Sequence, residues 1–312
     1  MCRSIFFRLL VSIFLCQTMA CDDRWTYIED YEFLPAEPSK LVLSSLLSPD
    51  SVASIAVSYT YPVTTPWTEI PVLYEVDSAD VRLYEDSVLV EIMPYVGQGR
   101  YVSASGFKPQ VNHAYYYIVS APGYDTAYSL PETVPDMVPI TSYAFIDSVG
   151  LYDSADYGLA DENYQVTVSQ VNFYFNDPAT IANYYLLRST ILEDTTYLPT
   201  EKAFLRQIDG IAGCLFRGQP ACVEDICFSG SPIGASIDII PTSMQYTTQD
   251  MGGMYLDLVT ITATYYKRAV SYEAYLLTRD HISQEPFNVY SNIQNGYGLV
   301  AAYNTNRQLI NW

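Results

Sequence analysis

The residue with the clearest chemical role lies near the amino terminus, where a cysteine follows a short apolar run. In the stretch "IFLCQTMACDD" (residues 13–23), Cys21 comes directly after a small residue, and the apolar run covers residues 9–15. Two arginines precede that run, which completes the pattern of an export signal. A cysteine at this point can receive a diacylglycerol on its thiol, and cleavage before it frees an amino group for a further acyl chain. Two or more acyl chains hold a protein stably on a membrane, whereas one chain is marginal.

We therefore predict that residues 1–20 are a lipoprotein signal peptide and that Cys21 is lipidated. The apolar run is too short to span a bilayer, and no later stretch of the sequence reaches the roughly 18 residues that a spanning helix needs. The match to a bacterial lipobox is incomplete, because Thr18 and Met19 stand where a leucine and a small residue are usual. The alternative is ordinary cleavage, with Cys21 as a disulfide partner.

An acidic pair, Asp22 and Asp23, comes directly after this cysteine. The pair resembles the signal that exports lipoproteins of Bacteroidota to the outer face of the outer membrane, so it predicts a surface-exposed, lipid-anchored protein. The alternative is a simple polar linker. Residues 21–37 continue acidic and contain prolines, which predicts a tether between the lipid and the folded body.

Three further cysteines, Cys214, Cys222 and Cys227, lie within a stretch of 14 residues. In an oxidising compartment they predict one local disulfide with one thiol left over, and the sequence leaves the choice of partners open. A zinc site needs histidines or two close cysteine pairs, and this segment has neither. We therefore predict a structural disulfide and no metal site.

Residues suited to catalysis form no recognisable arrangement. His113 and His281 are far apart in the sequence, and no nucleophile elbow, phosphate-binding loop or dinucleotide motif is present. The acidic segment at residues 147–162 lacks the spacing of an EF-hand, so we interpret it as a solvated loop, with calcium binding as the alternative. We predict a protein that is not an enzyme and carries no cofactor. A glycan hydrolase with paired carboxylates remains an alternative, because the chain is rich in acids.

The composition argues against one class of partner and draws attention to the tyrosines. With 35 Asp and Glu against 15 Lys and Arg, and with no basic cluster, binding to nucleic acid is not expected. The 30 tyrosines are spread along the whole chain, which is typical of strands with half-buried faces. If they are exposed, Tyr115, Tyr116 and Tyr117 are the first candidates for a binding patch, together with the cysteine-containing loop at residues 195–227.

Short alternating runs dominate the first half of the folded body. Seven or eight runs separated by Pro, Gly, Asp and Asn, with no helical period of ten residues, predict an antiparallel β-sandwich over residues 38–132. In "ADVRLYEDS", Val81 and Leu83 alternate with Arg82 and Tyr84, which is the pattern of a half-buried strand.

The second half is also rich in strand patterns. Three prolines in "LPETVPDMVPI" indicate a stiff connection, and we place a linker at residues 133–140. Residues 141–312 are predicted to form a second β-rich domain, interrupted by the cysteine-containing loop. We expect a helical turn within residues 199–208 and two strands within residues 255–280.

Five stretches in order along the chain resemble a known family. They are "KLVLSSLLSPDSVASIAVSYTYPV", "ADVRLYEDS", "YYYIVSAPGYDTAYSLPETVP", "NDPATIANYYLLR" and "SNIQNGYGLVAAYN". The family is the Bacteroidota lipoproteins with domain of unknown function 4249. The resemblance implies an immunoglobulin- or transthyretin-like β-domain followed by a second β-rich domain, and a partner among TonB-dependent outer-membrane receptors. It implies no catalytic residues, and "QNGYG" departs from the doubled-glycine turn of the family ending.

The predicted molecule is an all-β protein with two sandwich-like domains, held on the outer membrane by lipid on Cys21. The expected role is non-catalytic: ligand capture, adhesion, or assistance to a TonB-dependent transporter. A purely structural envelope protein is the alternative.

Overall fold

A computed structural model describes the part of the chain that carries the sheets. It covers residues 38–61, 75–153, 165–179, 182–192, 203–209, 222–225, 230, 232–239, 253–279 and 289–311. The strands in the first half are β1 (Leu41–Leu47), β2 (Ser54–Tyr59), β3 (Asp80–Glu85), β4 (Val88–Met93), β5 (Tyr95–Gly97), β6 (Arg100–Val102), β7 (Ala114–Ser120), β8 (Ala127–Ser129) and β9 (Glu132–Thr133). The strands in the second half are β10 (Ile140–Asp153), β11 (Gln165–Asn176), β12 (Tyr184–Leu192), β13 (Ala203–Asp209), β14 (Cys222–Glu224), β15 (Pro232–Ile239), β16 (Gly253–Ile261), β17 (Ile293–Gln294) and β18 (Gly296–Ile310). Helix α1 (Ala263–Arg279) follows β16.

Within these ranges the strands form three sheets, which confirms the predicted all-β, sandwich-like fold. The eight-stranded sheet has the order β14-β12-β16-β18-β1-β2-β6-β5, and the four-stranded sheet has the order β10-β11-β15-β13. The six-stranded sheet runs β17-β8-β7-β3-β4, with β9 beside β7. The eight-stranded sheet takes strands from both sides of the predicted linker, and the division into two domains stays a prediction. Among the described helical residues, none forms a segment long and apolar enough to cross a bilayer.

Two hydrophobic cores lie on this framework, together with a smaller cluster. The first core contains alternate residues of β1, β3 and β7, as the alternating sequence predicts. The second core lies between the four-stranded sheet and β12, β16 and β18. The smaller cluster lies where α1 packs on the eight-stranded sheet.

Strand β18 belongs to both halves of the fold. From Gly296 to Ala302 it runs parallel to β1, and from Tyr303 to Ile310 it runs antiparallel to β16. A Cβ atom on Gly296 would lie 2.6 Å from the carbonyl oxygen of Leu41, so only glycine permits this approach. Gly298 has the same relation to β1 and also has a φ of +119°.

The turn before β18 explains the departure in "QNGYG". Asn295 has a φ of 57°, in the left-handed region that asparagine tolerates better than other residues with a Cβ. It therefore takes the conformation for which a doubled glycine would otherwise be needed.

Two sequence predictions in the second half are wrong. The segment at residues 255–280 is one strand, β16, followed by α1, and not two strands. The helix forms because Tyr265, Tyr266 and Ala269 lie on one helical face and pack on the sheet. The expected helical turn within residues 199–208 is replaced by strand β13, which pairs with β15.

A buried carboxylate connects β9 to the first turn of α1. Glu132 accepts hydrogen bonds from the Thr264 hydroxyl (2.5 Å) and from the side-chain amide of Asn292 (3.4 Å). Burial raises the pKa of Glu132, and hydrogen bonds from Thr264, Thr262 and Asn292 and the charge of Lys267 oppose that rise only in part. The carboxyl group therefore binds its proton more tightly in the folded protein than in the unfolded chain.

This carboxyl group makes a pH-dependent contribution to stability. The contribution is fully present below the unfolded-state pKa of about 4.3 and is lost as pH rises through the higher folded-state pKa. In Glu132→Gln the side chain does not ionise, so we expect the stability of the variant relative to the wild type to increase with pH and then level off. Urea unfolding at a series of pH values measures this difference, and a difference independent of pH would contradict the assignment.

Candidate functional site

Most of the residues predicted to be modified or cross-linked lie outside the described residues. This applies to Cys21, Asp22, Asp23, Cys214 and Cys227, and also to His281 and most of the loop at residues 195–227. Lipidation, surface export and disulfide pairing therefore stay predictions. Cys222 lies on β14 and is buried beside α1 in the smaller cluster.

The three consecutive tyrosines do not share one surface. Tyr115 and Tyr117 are fully buried in the first core, because alternate residues of β7 point to opposite faces of the sheet. The Tyr115 hydroxyl donates to Glu85 and accepts from the backbone N–H of Gln110, and burial raises the pKa of both tyrosines. As a binding patch, the prediction is therefore wrong for these two residues, and only Tyr116 reaches the opposite, solvent-facing side.

The solvent-facing side of the six-stranded sheet carries a continuous apolar surface, which we call the outer face. It consists of six side chains from four neighbouring strands: Tyr84, Leu89, Ile92, Tyr116, Ile118 and Tyr128. One row of paired residues crosses Leu89, Tyr84 and Tyr116, and the next crosses Ile92, Arg82, Ile118 and Tyr128. Neighbouring side chains on one face of a sheet are close enough to act as one surface.

Exposure and polar contacts define the character of the outer face. Ile92 is 57% exposed, and Leu89 and Tyr128 are also exposed. Tyr84 and Tyr116 stack on each other with ring centroids 4.9 Å apart and planes 3° apart. The one charged side chain in the two rows, Arg82, donates to Asp80 from Nη2 to Oδ2 (2.7 Å) and from Nε to both Oδ2 (3.1 Å) and Oδ1 (3.2 Å). The outer face is therefore mainly apolar, and the positive charge of Arg82 is paired with the carboxylate of Asp80.

Exposed apolar side chains also lie on the edge strands of two sheets. Strand β4 is the last strand of the six-stranded sheet in the described part of the chain, and β5 is the last of the eight-stranded sheet. Val88 on β4 and Val96 on β5 are both exposed. Exposed edge strands that carry apolar side chains favour contact with another chain.

Acidic side chains elsewhere in the described residues make hydrogen bonds to His113 and to backbone groups. His113 contacts Asp86 (Nδ1–Oδ2, 2.6 Å) at the turn between β3 and β4, where Asp86 also accepts from the backbone of Ala114. Asp177 and Asp225 are both buried, and each accepts hydrogen bonds from backbone N–H groups. In the described ranges, no group of three or more His, Cys, Asp or Glu side chains is arranged to hold a metal ion.

Sequence reasoning identified two members of the outer face, Tyr84 and Tyr116, and missed the others. The alternation in β3 correctly placed Arg82 and Tyr84 on the side away from the core. Ile92, Ile118 and Tyr128 carried no comparable signal, because their proximity depends on which strands pair and in which register.

Comparisons with known proteins place the chain in a family. The model of one family, described as domain of unknown function (DUF4249), matches residues 28–308. A comparison with curated proteins gives no match. Because the family model spans nearly all of the 312 residues, it confirms the family suggested by the five sequence stretches. The chain belongs to the DUF4249 family.

Proposed function

We propose that this protein is a lipid-anchored envelope protein of Bacteroidota that acts by binding another protein through its outer face, without catalysis. The observation that supports the proposal is the continuous apolar surface formed by Tyr84, Leu89, Ile92, Tyr116, Ile118 and Tyr128. Exposed apolar surfaces of this kind on soluble domains are typical of interaction sites, and aromatic residues are enriched at their centres.

The arrangement of the rings favours a protein partner over a glycan. Sugars bind against open aromatic ring faces, but Tyr84 and Tyr116 occupy one face of each other by stacking. The remaining members are largely aliphatic, with Leu89 and Ile92 the more exposed of them. Aliphatic and aromatic side chains together form the apolar core of protein interfaces, and Arg82, which lies between Ile92 and Ile118, would enter that core already paired with Asp80.

The proposed location at the outer membrane follows from the predicted lipid anchor on Cys21. Lipid on Cys21 and the acidic segment at residues 21–37 would hold the folded body close to the outer membrane. An outer-membrane partner then meets the outer face at a high effective concentration. The family resemblance suggests a TonB-dependent receptor as that partner. The alternative, a purely structural envelope role, requires no partner at the outer face.

Site-specific photo-crosslinking in cells tests this function. We expect a cross-linking residue at Ile92 to capture one defined outer-membrane protein, whereas the same residue at Leu151 on β10, which is 64% exposed, captures none. The change Tyr116→Glu should abolish capture from position 92, because it places a charge in the apolar surface. A Cys21→Ala variant should lose both incorporated palmitate and capture, since the protein is no longer concentrated at the membrane.

The outcomes separate the two parts of the proposal. Equal capture from positions 92 and 151, or capture unaffected by Tyr116→Glu, would show that the outer face is not the binding surface. Capture by a Cys21→Ala variant that has lost palmitate would leave the binding surface intact and contradict the role of the anchor.

A further inference from the structure

Two arginines and a buried aspartate form a row across three strands, on the side of the eight-stranded sheet that carries α1. Arg188 on β12 lies opposite Asp257 on β16, which lies opposite Arg307 on β18. Leu256 and Leu258, the neighbours of Asp257, point into the second core. Asp257 and the two arginines therefore share the other side of the sheet.

The two arginines lie at different distances from the carboxylate of Asp257. Arg307 binds Asp257 with two hydrogen bonds, Nε–Oδ1 at 2.7 Å and Nη2–Oδ2 at 2.8 Å. The Nη2 atom of Arg188 lies 3.7 Å from the same Oδ2, beyond hydrogen-bond distance. The side chain of Asp257 is 3% exposed, whereas those of Arg188 and Arg307 are 45% and 55% exposed. The arginines thus cover the carboxylate and direct their other N–H groups toward solvent.

Aromatic rings support both guanidinium groups. The guanidinium of Arg307 lies over the ring of Tyr255, 5.2 Å from its centroid, and that of Arg188 lies over Tyr303 at 6.0 Å. Contacts of this kind limit the orientations that an exposed arginine can take. Because both Nη2 atoms are close to one oxygen of Asp257, the two guanidinium groups are held near each other.

The charges in this row do not balance. Asp257 already pairs with Arg307. The nearby guanidinium of Arg188 adds a second positive charge, and the single negative charge of Asp257 neutralises only one of the two. The hydrogen bond and charge of Asp257 raise the pKa of Arg307, and Asp50 contributes only the smallest part of that rise. A local excess of positive charge is unusual in a chain with 35 acids and 15 bases.

We propose that Arg188 and Arg307 form a binding site for the phosphate group of a soluble phosphate ester. A tetrahedral phosphate presents oxygens in several directions, so it can accept hydrogen bonds from both guanidinium groups at once and compensate the second positive charge. Asp257 fixes the orientation of the Arg307 guanidinium by accepting two hydrogen bonds from it. A soluble ester is the source to which the proposal commits, and a phospholipid headgroup is the alternative that the experiment distinguishes. This site is separate from the outer face and does not depend on the function proposed for it.

Calorimetric titration of the mature chain with inorganic phosphate and with glucose 6-phosphate, at constant ionic strength set with chloride, tests the proposal. We expect saturable binding, and Arg188→Gln should weaken it by about tenfold or more, because it removes a charged hydrogen-bond donor. Arg82→Gln is the matched control: Arg82 is 44% exposed and pairs with an aspartate, but no second arginine lies beside it in the described sheet.

Vesicles that contain phosphatidic acid supply the comparison with a lipid source. Binding to the soluble phosphates that is lost in Arg188→Gln and kept in Arg82→Gln supports the proposal. Binding to the vesicles alone would overturn the soluble source. Equal weakening by the two substitutions, or no binding to any of the phosphates, would overturn the site. Circular dichroism of each variant establishes that the fold is retained.

Discussion

Replacing Gly298 with alanine is expected to lower the free energy of unfolding by about 3 kcal/mol or more, from backbone strain and overpacking together. A Cβ atom at this position would overlap the carbonyl oxygen of Leu43 on β1. The φ of +119° at Gly298 adds strain for any residue with a side chain. Because β1 and β18 pair here in parallel, the overlap can be relieved only by separating two central strands. Urea unfolding followed by circular dichroism measures the loss.

Gly97→Ala is the matched control for this prediction. Gly97 has a similar φ of +107°, but no atom lies within 4 Å of the position that a Cβ would occupy. It should therefore show only the cost of backbone strain, about 1 kcal/mol or somewhat more. Equal destabilisation by the two substitutions would show that the close approach of β18 to β1 is not what requires glycine at position 298.

Removing the carboxylate of Asp177 is expected to destabilise the protein by about 3 kcal/mol, since it removes three hydrogen bonds to a buried carboxylate at once. Its oxygens accept from the Tyr185 hydroxyl (2.5 Å), the Asn183 side-chain amide (3.2 Å) and the backbone N–H of Gly230 (3.0 Å). Asp177→Ala removes every one of these acceptors, and the Tyr185 hydroxyl, which is buried, is left without this acceptor. The same urea unfolding experiment measures the effect.

Two comparisons make the result for Asp177 specific. Asp177→Asn keeps one acceptor oxygen but directs an N–H₂ group at a neighbouring donor, so an intermediate loss is expected. Asp80→Ala, which removes an exposed partner of Arg82, should cost less than about 1 kcal/mol. If Asp177→Ala were as mild as Asp80→Ala, the three hydrogen bonds would not be a major source of stability.

The sequence predicted the strands of the first half well, because their residues alternate and turn formers separate them. Val81 and Leu83 are buried and Arg82 is exposed, as the pattern in β3 indicated. The alternating runs along the sequence also indicated the all-β class. Sequence prediction failed at α1, where tyrosines and a valine suggested strands although Tyr265, Tyr266 and Ala269 have helical spacing.

The candidate sites were harder to predict, because they depend on contacts between distant segments. Arg188, Asp257 and Arg307 become neighbours only through the register of three strands. Asp177 directly precedes a proline, a pattern typical of a turn, and its role as a buried acceptor becomes visible only when Tyr185 and Gly230 are placed beside it. Sequence alternation shows which side a residue faces, but it does not show what lies across from it.

The dual pairing of β18 has a consequence for the order in which the protein folds. Val300 and Ala302 of β18 belong to the first core, whose other members come mainly from residues 41–134. Ribosomes make the amino terminus first, so that core stays incomplete until β18 has been synthesised. Contacts between such distant parts of a chain also slow folding. A nascent chain of this protein therefore has no finished sandwich until β18 has left the ribosome and can pair with β1.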